Sequence, residues 1–172
     1  MLTNEQMKTI TYEQFISFKP CWLGDDKLMA KVKAYAKLKP EWSALDILAL
    51  EDEKPADKLW LVLREQLIDA PILHEFACRW AEYKLKPIDN PDPRIVEAIR
   101  IKRLWLKGEA TDEELAAARV AVRDAAYPAL FPPWWVAARD AAAAARAAAG
   151  AAAWVAQVEM LKELLLESEG RR

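Results

Sequence analysis

The amino-acid sequence predicts an all-α fold, a bundle of short helices followed by two long alanine-rich ones, on three observations. Thirteen of the seventeen positions from Ala137 to Ala153 are alanine, the residue that loses least entropy on entering a helix. Ten prolines and four glycines fall mostly where a helical pattern needs to stop. No alternating apolar and polar run is long enough for a convincing strand.

Taken in order, Thr11 is placed to cap a helix to about Phe18, with Gln14 as the reciprocal capping partner. Pro20 follows its end. After Asp25 and Asp26, Leu28, Val32 and Tyr35 recur at helical spacing while Lys27, Lys31, Lys33 and Lys37 mostly face water, until Pro40 stops the helix. Ser43 caps a short helix through Leu50, and Pro55 opens another through about Ile68. Asp69 and Pro71 start the next, in which Phe76, Trp80 and Tyr83 form a stripe expected to face the core, ending by Pro87. The run Asn90-Pro91-Asp92-Pro93 turns into a helix from about Arg94 to Leu106, closed by Gly108.

Thr111-Asp112-Glu113-Glu114 is a capping box with carboxylates at the positive end of the helix dipole. That helix should reach about Tyr127, before Pro128. After the corner Phe131-Pro132-Pro133-Trp134, a last helix from about Pro133 to Glu167 is expected. Roughly 33 residues at about 1.5 Å each span on the order of 50 Å, whereas a compact chain of this size is only about 40 Å across. That helix must cross the domain, bend at Gly150, or protrude. The chain therefore reads as a helical core over residues 1–110 and an alanine-rich long-helix region over 111–172, together one domain.

The totals narrow the function. At 172 residues the chain can bury a core without staples, and 25 Lys plus Arg against 27 Asp plus Glu argue against a general polyanion binder such as a nucleic-acid protein. Cys21 and Cys78 match no zinc or redox spacing, which fits a reducing compartment and so the cytoplasm. The first eleven residues do not read as a signal peptide, and Arg139, Asp140 and Arg146 interrupt the alanine tract as a membrane span.

Candidate chemistry is sparse. His74 is the only histidine, and His74-Glu75-Phe76-Ala77-Cys78 resembles the two-histidine zinc protease helix with cysteine in place of the second histidine. The pair could help hold a metal, with Glu82 or Cys21, or act as a thiolate-imidazolium nucleophile. Against both readings, a helix with an aromatic stripe more often uses histidine as a hydrogen-bonded core or boundary residue. There is no phosphate-cradling loop, no nucleophile elbow and no pair of Glu-x-x-His units, so no cofactor is implied.

Two groups remain as binding surfaces. Trp134 and Trp135, adjacent after two prolines, cannot both point inward, and exposed tryptophan is enriched at binding hot spots. On the same helix Arg139, Arg146, Gly150 and Gln157 fall within about 20° either side of one line. That polar stripe either faces solvent, or the alanine faces beside it bind another helix, in this chain or a second copy, with the arginines setting register. The other group is Arg100, Lys102, Arg103 and Lys107 around Trp105, a solvated face or a contact for an acidic partner. Trp22, Trp42, Trp60, Trp80 and Trp105 each sit in an apolar pattern and are expected to build the core.

Four segments carry a family resemblance: Trp42 to Leu48 (WSALDIL), Ile68 to Glu82 (IDAPILHEFACRWAE), Pro91 to Arg94 (PDPR) and Thr111 to Arg119 (TDEELAAAR). Together they resemble bacterial and prophage immunity proteins of the Imm-5-like kind, which end in alanine-rich helices. The chain departs from that pattern at Trp80, where a second cysteine of a Cys-x-Cys pair is expected, and at the Tyr127 to Trp135 interruption. The resemblance implies a role in conflict between phage, host and competitors. It points to a non-catalytic protein that neutralises a toxin or a defence component such as CRISPR, in the bacterial cytoplasm. The surface expected to do so is Trp134, Trp135, Arg139 and Arg146, then Arg100, Arg103 and Lys107. A metal- or thiol-dependent enzyme on His74 and Cys78, and a structural homo-oligomer joined through the last helix, are the alternatives.

Overall fold

The computed structural model describes residues 8–20, 23–130 and 139–170, and within these the side chains of all but 124–130 and 139–151. The described residues are mostly helical, as the sequence predicts, with one correction. Thr9–Thr11 (β1) pairs antiparallel with Glu41–Ser43 (β2), in the register Thr9 with Ser43, Ile10 with Trp42 and Thr11 with Glu41. Each strand is three residues long, too short for alternation to be read. Thr9 Oγ1 donates to Glu41 Oε2 at 2.9 Å across 32 residues of sequence, a pairing that no local pattern reports.

Each strand runs directly into a capped helix. Thr11 ends β1 and caps Tyr12–Ser17 (α1): its N–H donates to Gln14 Oε1 at 2.8 Å and its Oγ1 accepts from Gln14 N–H. Ser43 ends β2 and caps Ala44–Leu48 (α3) through the same reciprocal pair with Asp46. Between them Asp26–Leu38 (α2) starts at Asp25, whose carboxylate accepts the N–H groups of Lys27 and Leu28. Such caps are worth about 1 kcal/mol each, and they fix where the short helices begin.

The helix opened by Pro55 is shorter than the sequence suggests. Pro55–Val62 (α4) stops well before Ile68 because Leu63, at φ −75° and ψ 64°, forms an inverse γ-turn closed by Arg64 N–H on Val62 C=O at 2.8 Å. The Arg64 guanidinium then lies over the rings of Phe18 (4.1 Å) and Trp60 (4.7 Å). Next come Ala70–Leu85 (α5), Pro93–Leu106 (α6), Asp112–Leu130 (α7) and Arg139–Gly170 (α8). α7 continues through Pro128 to Leu130 where the sequence suggested a stop at Tyr127.

Gly108 closes α6 as expected, at φ +73°. Its N–H donates to Trp105 C=O while Glu109 N–H reaches back to Leu104 C=O at 2.9 Å, the paired geometry that satisfies the last carbonyls of a helix. Thr111 then starts α7 with the predicted capping box, exchanging hydrogen bonds with Glu114.

One core joins the two ends of the sequence. Ile10, Phe15, Trp42, Ile47, Leu48, Leu59, Val62, Leu67, Ile68 and Phe76 pack with Val158, Leu161, Leu164 and Leu165 from the carboxy-terminal turns of α8. The expectation that five tryptophans build this core needs correction. Trp42 does so, but Trp60 is 40 % exposed, because Leu59, Leu61 and Val62 take the inward face of α4. Trp80 and Trp105 are half-buried, and Trp22 lies outside the described residues. Likewise, of the stripe on α5 only Phe76 is buried; Trp80 and Tyr83 stack on each other at 5.1 Å near the surface.

Candidate binding surface

Four of the apolar residues of α8 stand at positions 154, 158, 161 and 165, spacings of four, three and four that share one face. Val158, Leu161 and Leu165 on that face are buried, Leu161 completely. Trp154, one turn earlier on the same line, is 42 % exposed, and its neighbour Val155 is 51 % exposed. The apolar stripe of the helix thus outruns the core that covers it. Neither residue was singled out from the sequence as a binding residue, although the same spacing was readable there.

The sequence-derived candidates fall in three places. Trp134 and Trp135 lie outside the described residues. Arg139 and Arg146 sit on the backbone of α8, whose side chains there are likewise not described. Their positions can still be placed: Arg139, Arg146, Gln157 and Leu164 follow at seven, eleven and seven residues and so fall within about 20° of one another on a straight helix. Leu164 is buried and Gln157 half-buried, so this line borders the face that meets the core farther along.

The third place is α6, where one member of the basic group, Arg103, is committed to partners on α5. Arg103 reaches Glu75 with Nε (3.1 Å) and Nη2 (3.0 Å), and Glu82 with Nη1 and with Nη2 (2.9 Å). Its hydrogen bonds hold the Glu82 carboxyl below the usual glutamate range, and the two carboxylates push Arg103 further up. Glu75 also accepts from Arg79, which makes a two-pronged contact to Glu167 of α8 at 3.0 and 2.7 Å. The result is a charged network tying α6, α5 and α8 together. Arg100 pairs within its own helix to Glu97 at 2.6 Å, leaving Lys107 as an exposed cation at the helix end. Sequence spacing alone groups these three residues, but only Glu75 and Glu82 on α5 reveal that Arg103 is already paired within the fold.

His74 and Cys78 do occupy successive turns of α5, yet no hydrogen bond joins them. The imidazole meets the Trp105 ring edge-on at 5.9 Å, and Lys102 Nζ lies 3.9 Å from that same ring. Burial pushes the Cys78 thiol up and His74 down, with Lys102 adding to the depression of His74. Both shifts disfavour a thiolate-imidazolium pair. Among the described residues no three His, Cys, Asp or Glu side chains gather as a metal site, and no helix is long and apolar enough to cross a membrane. Cys21 lies outside the described residues. Comparison with protein-family models, with curated proteins and with solved structures gives no match.

Proposed function

We propose that this chain is a non-catalytic helical protein that binds and neutralises another protein, in the manner of immunity or anti-defence proteins acting on a toxin or a defence component in the bacterial cytoplasm. The observation that carries this reading is Trp154, exposed at 42 % on the face where Val158, Leu161 and Leu165 are buried. An apolar stripe that continues past its own cover offers a partner the same chemistry that holds α8 to the core. Upstream on that helix the side chains shrink to alanine, which lets a second helix approach closely. Arg139 and Arg146, a heptad apart in the sequence, favour a partner helix bearing carboxylates at matching spacing. The finer architecture this requires is a long alanine-rich α8 paired with α7 beside the core.

The test is functional inhibition. The bound protein is identified after capture from host cells, purified, and assayed for its own activity with the chain added at increasing ratio. Stoichiometric loss of that activity, abolished by Trp154→Ala combined with Arg139→Ala and Arg146→Ala, is the expected result. A partner whose activity is unchanged, or whose inhibition survives the triple variant, rejects the reading. Light scattering at several concentrations tests the competing homo-oligomer, which a concentration-independent monomer removes.

A further inference from the structure

Away from α8, the interface between α2 and the core is incompletely filled. α2 buries none of its residues, although Leu28, Val32 and Tyr35 give it a well-formed apolar stripe. That stripe faces a cleft of about 140 Å³ whose opposite wall is Phe15, Trp42, Ile47 and Leu61. An apolar cavity of about 150 Å³ is large enough to take up benzene. The aromatic wall is already fixed: the Trp42 indole N–H donates to Lys39 C=O at 2.6 Å, and Phe15 and Tyr35 pack against its ring at 5.8 and 5.6 Å. A ligand would therefore meet a surface that needs little reorganisation.

The rim decides what chemistry fits. Lys31 and Glu53 close on each other at 2.6 Å, bridging α2 to the segment before α4. This leaves Asp57 and Lys58. Asp57 lies in the first turn of α4, where the helix dipole already favours its charge. Lys58 is different: among the described residues its Nζ donates to Leu48 C=O, at 3.2 Å, and forms no ion pair with a carboxylate. Burial and the nearby charge of Lys162 disfavour its ammonium form more than the charges of Glu159, Glu53 and Glu51 favour it, so an anion arriving there would relieve what remains of that cost.

We propose that this cleft binds a small amphipathic carboxylate, a single aromatic ring or a chain of about six carbons, with the apolar body between Val32 and Trp42 and the carboxylate on Lys58. The site is separate from the α8 surface and stands or falls independently of the function proposed for it. Titration of the full-length chain with benzoate and hexanoate, against benzyl alcohol, hexanol and benzylamine, tests it by calorimetry and by the indole N–H resonance of Trp42. The carboxylates are expected to bind about tenfold more tightly than the alcohols and to shift the Trp42 signal first. Lys58→Met should reduce the acids to the level of the alcohols, and Val32→Trp should abolish binding of both. If the Val32 variant does not fold, the wild-type resonances and Lys58→Met still decide. Equal binding of acid and alcohol, preference for the amine, a shift confined to other indoles, or no saturable binding overturns the proposal.

Discussion

α5 is flanked by two helices that hold on to it by different physics. α8 docks by burying Val158, Leu161, Leu164 and Leu165 in the shared core, whereas α6 buries no residue and is tied on by Arg103 between Glu75 and Glu82, with His74 against Trp105. Apolar burial is insensitive to pH and hard to replace; a half-exposed charge network is neither. The difference teaches that this molecule has a firm half, α1 and α3 to α5 closed by α8, and a looser hairpin of α6 and α7 pinned to it. It also separates what can be lost without unfolding from what cannot.

The largest expected effect tests the firm attachment. Leu161 is fully buried, so Leu161→Ala should cost about 3–4 kcal/mol in denaturant unfolding, while Leu166→Ala, on the exposed side of the same helix, should stay within about 0.5 kcal/mol. Similar losses for the two would mean that α8 does not close the core. A smaller effect tests the charged attachment. Glu82 has its folded pKa lowered by Arg103, so its contribution is present above the ordinary glutamate value of 4.5 and is lost as pH falls below that value toward the lowered one. Hydrogen exchange in α6, measured relative to α8 at each pH, should accelerate on acidification below that point, and Arg103→Met should remove the pH dependence. Parallel acceleration of both helices would break the distinction. The smallest effect concerns the hairpin itself: Thr111→Ala removes the cap of α7 and should cost about 1 kcal/mol, read as faster exchange in the first turn of α7 with α8 unchanged.

Much of this was legible in the sequence wherever the determinant is local. The capping pairs Thr11 with Gln14 and Thr111 with Glu114, the cap at Ser43 and the Gly108 terminus all depend on residues within one or two turns, and all form as read. What escaped depends on distance. Residues 9–11 find their strand partner at 41–43, and Arg103 finds Glu75 and Glu82 on another helix, at separations of 28 and 21 residues. Leu63 ends α4 by a turn that no proline or glycine announces. Trp60, with Leu59 and Leu61 on either side, has an apolar context that does not tell its face, and it turns outward onto Arg64. As for the candidate surface on α8, its alanine and arginine content was visible, but the exposure of Trp154 required knowing where the core stops.

The last layer of the core has a consequence for synthesis. Arg79 and Glu167, which meet in the structure, are 88 residues apart, so a ribosome adding about 5–20 residues per second leaves roughly 4–18 s between them. Throughout that interval Phe76, Ile68 and Leu59 face water without Leu161 to cover them. The nascent chain therefore presents a greasy, unfinished half-domain for seconds, and its yield in a cell should depend on the holding chaperones that meet it there.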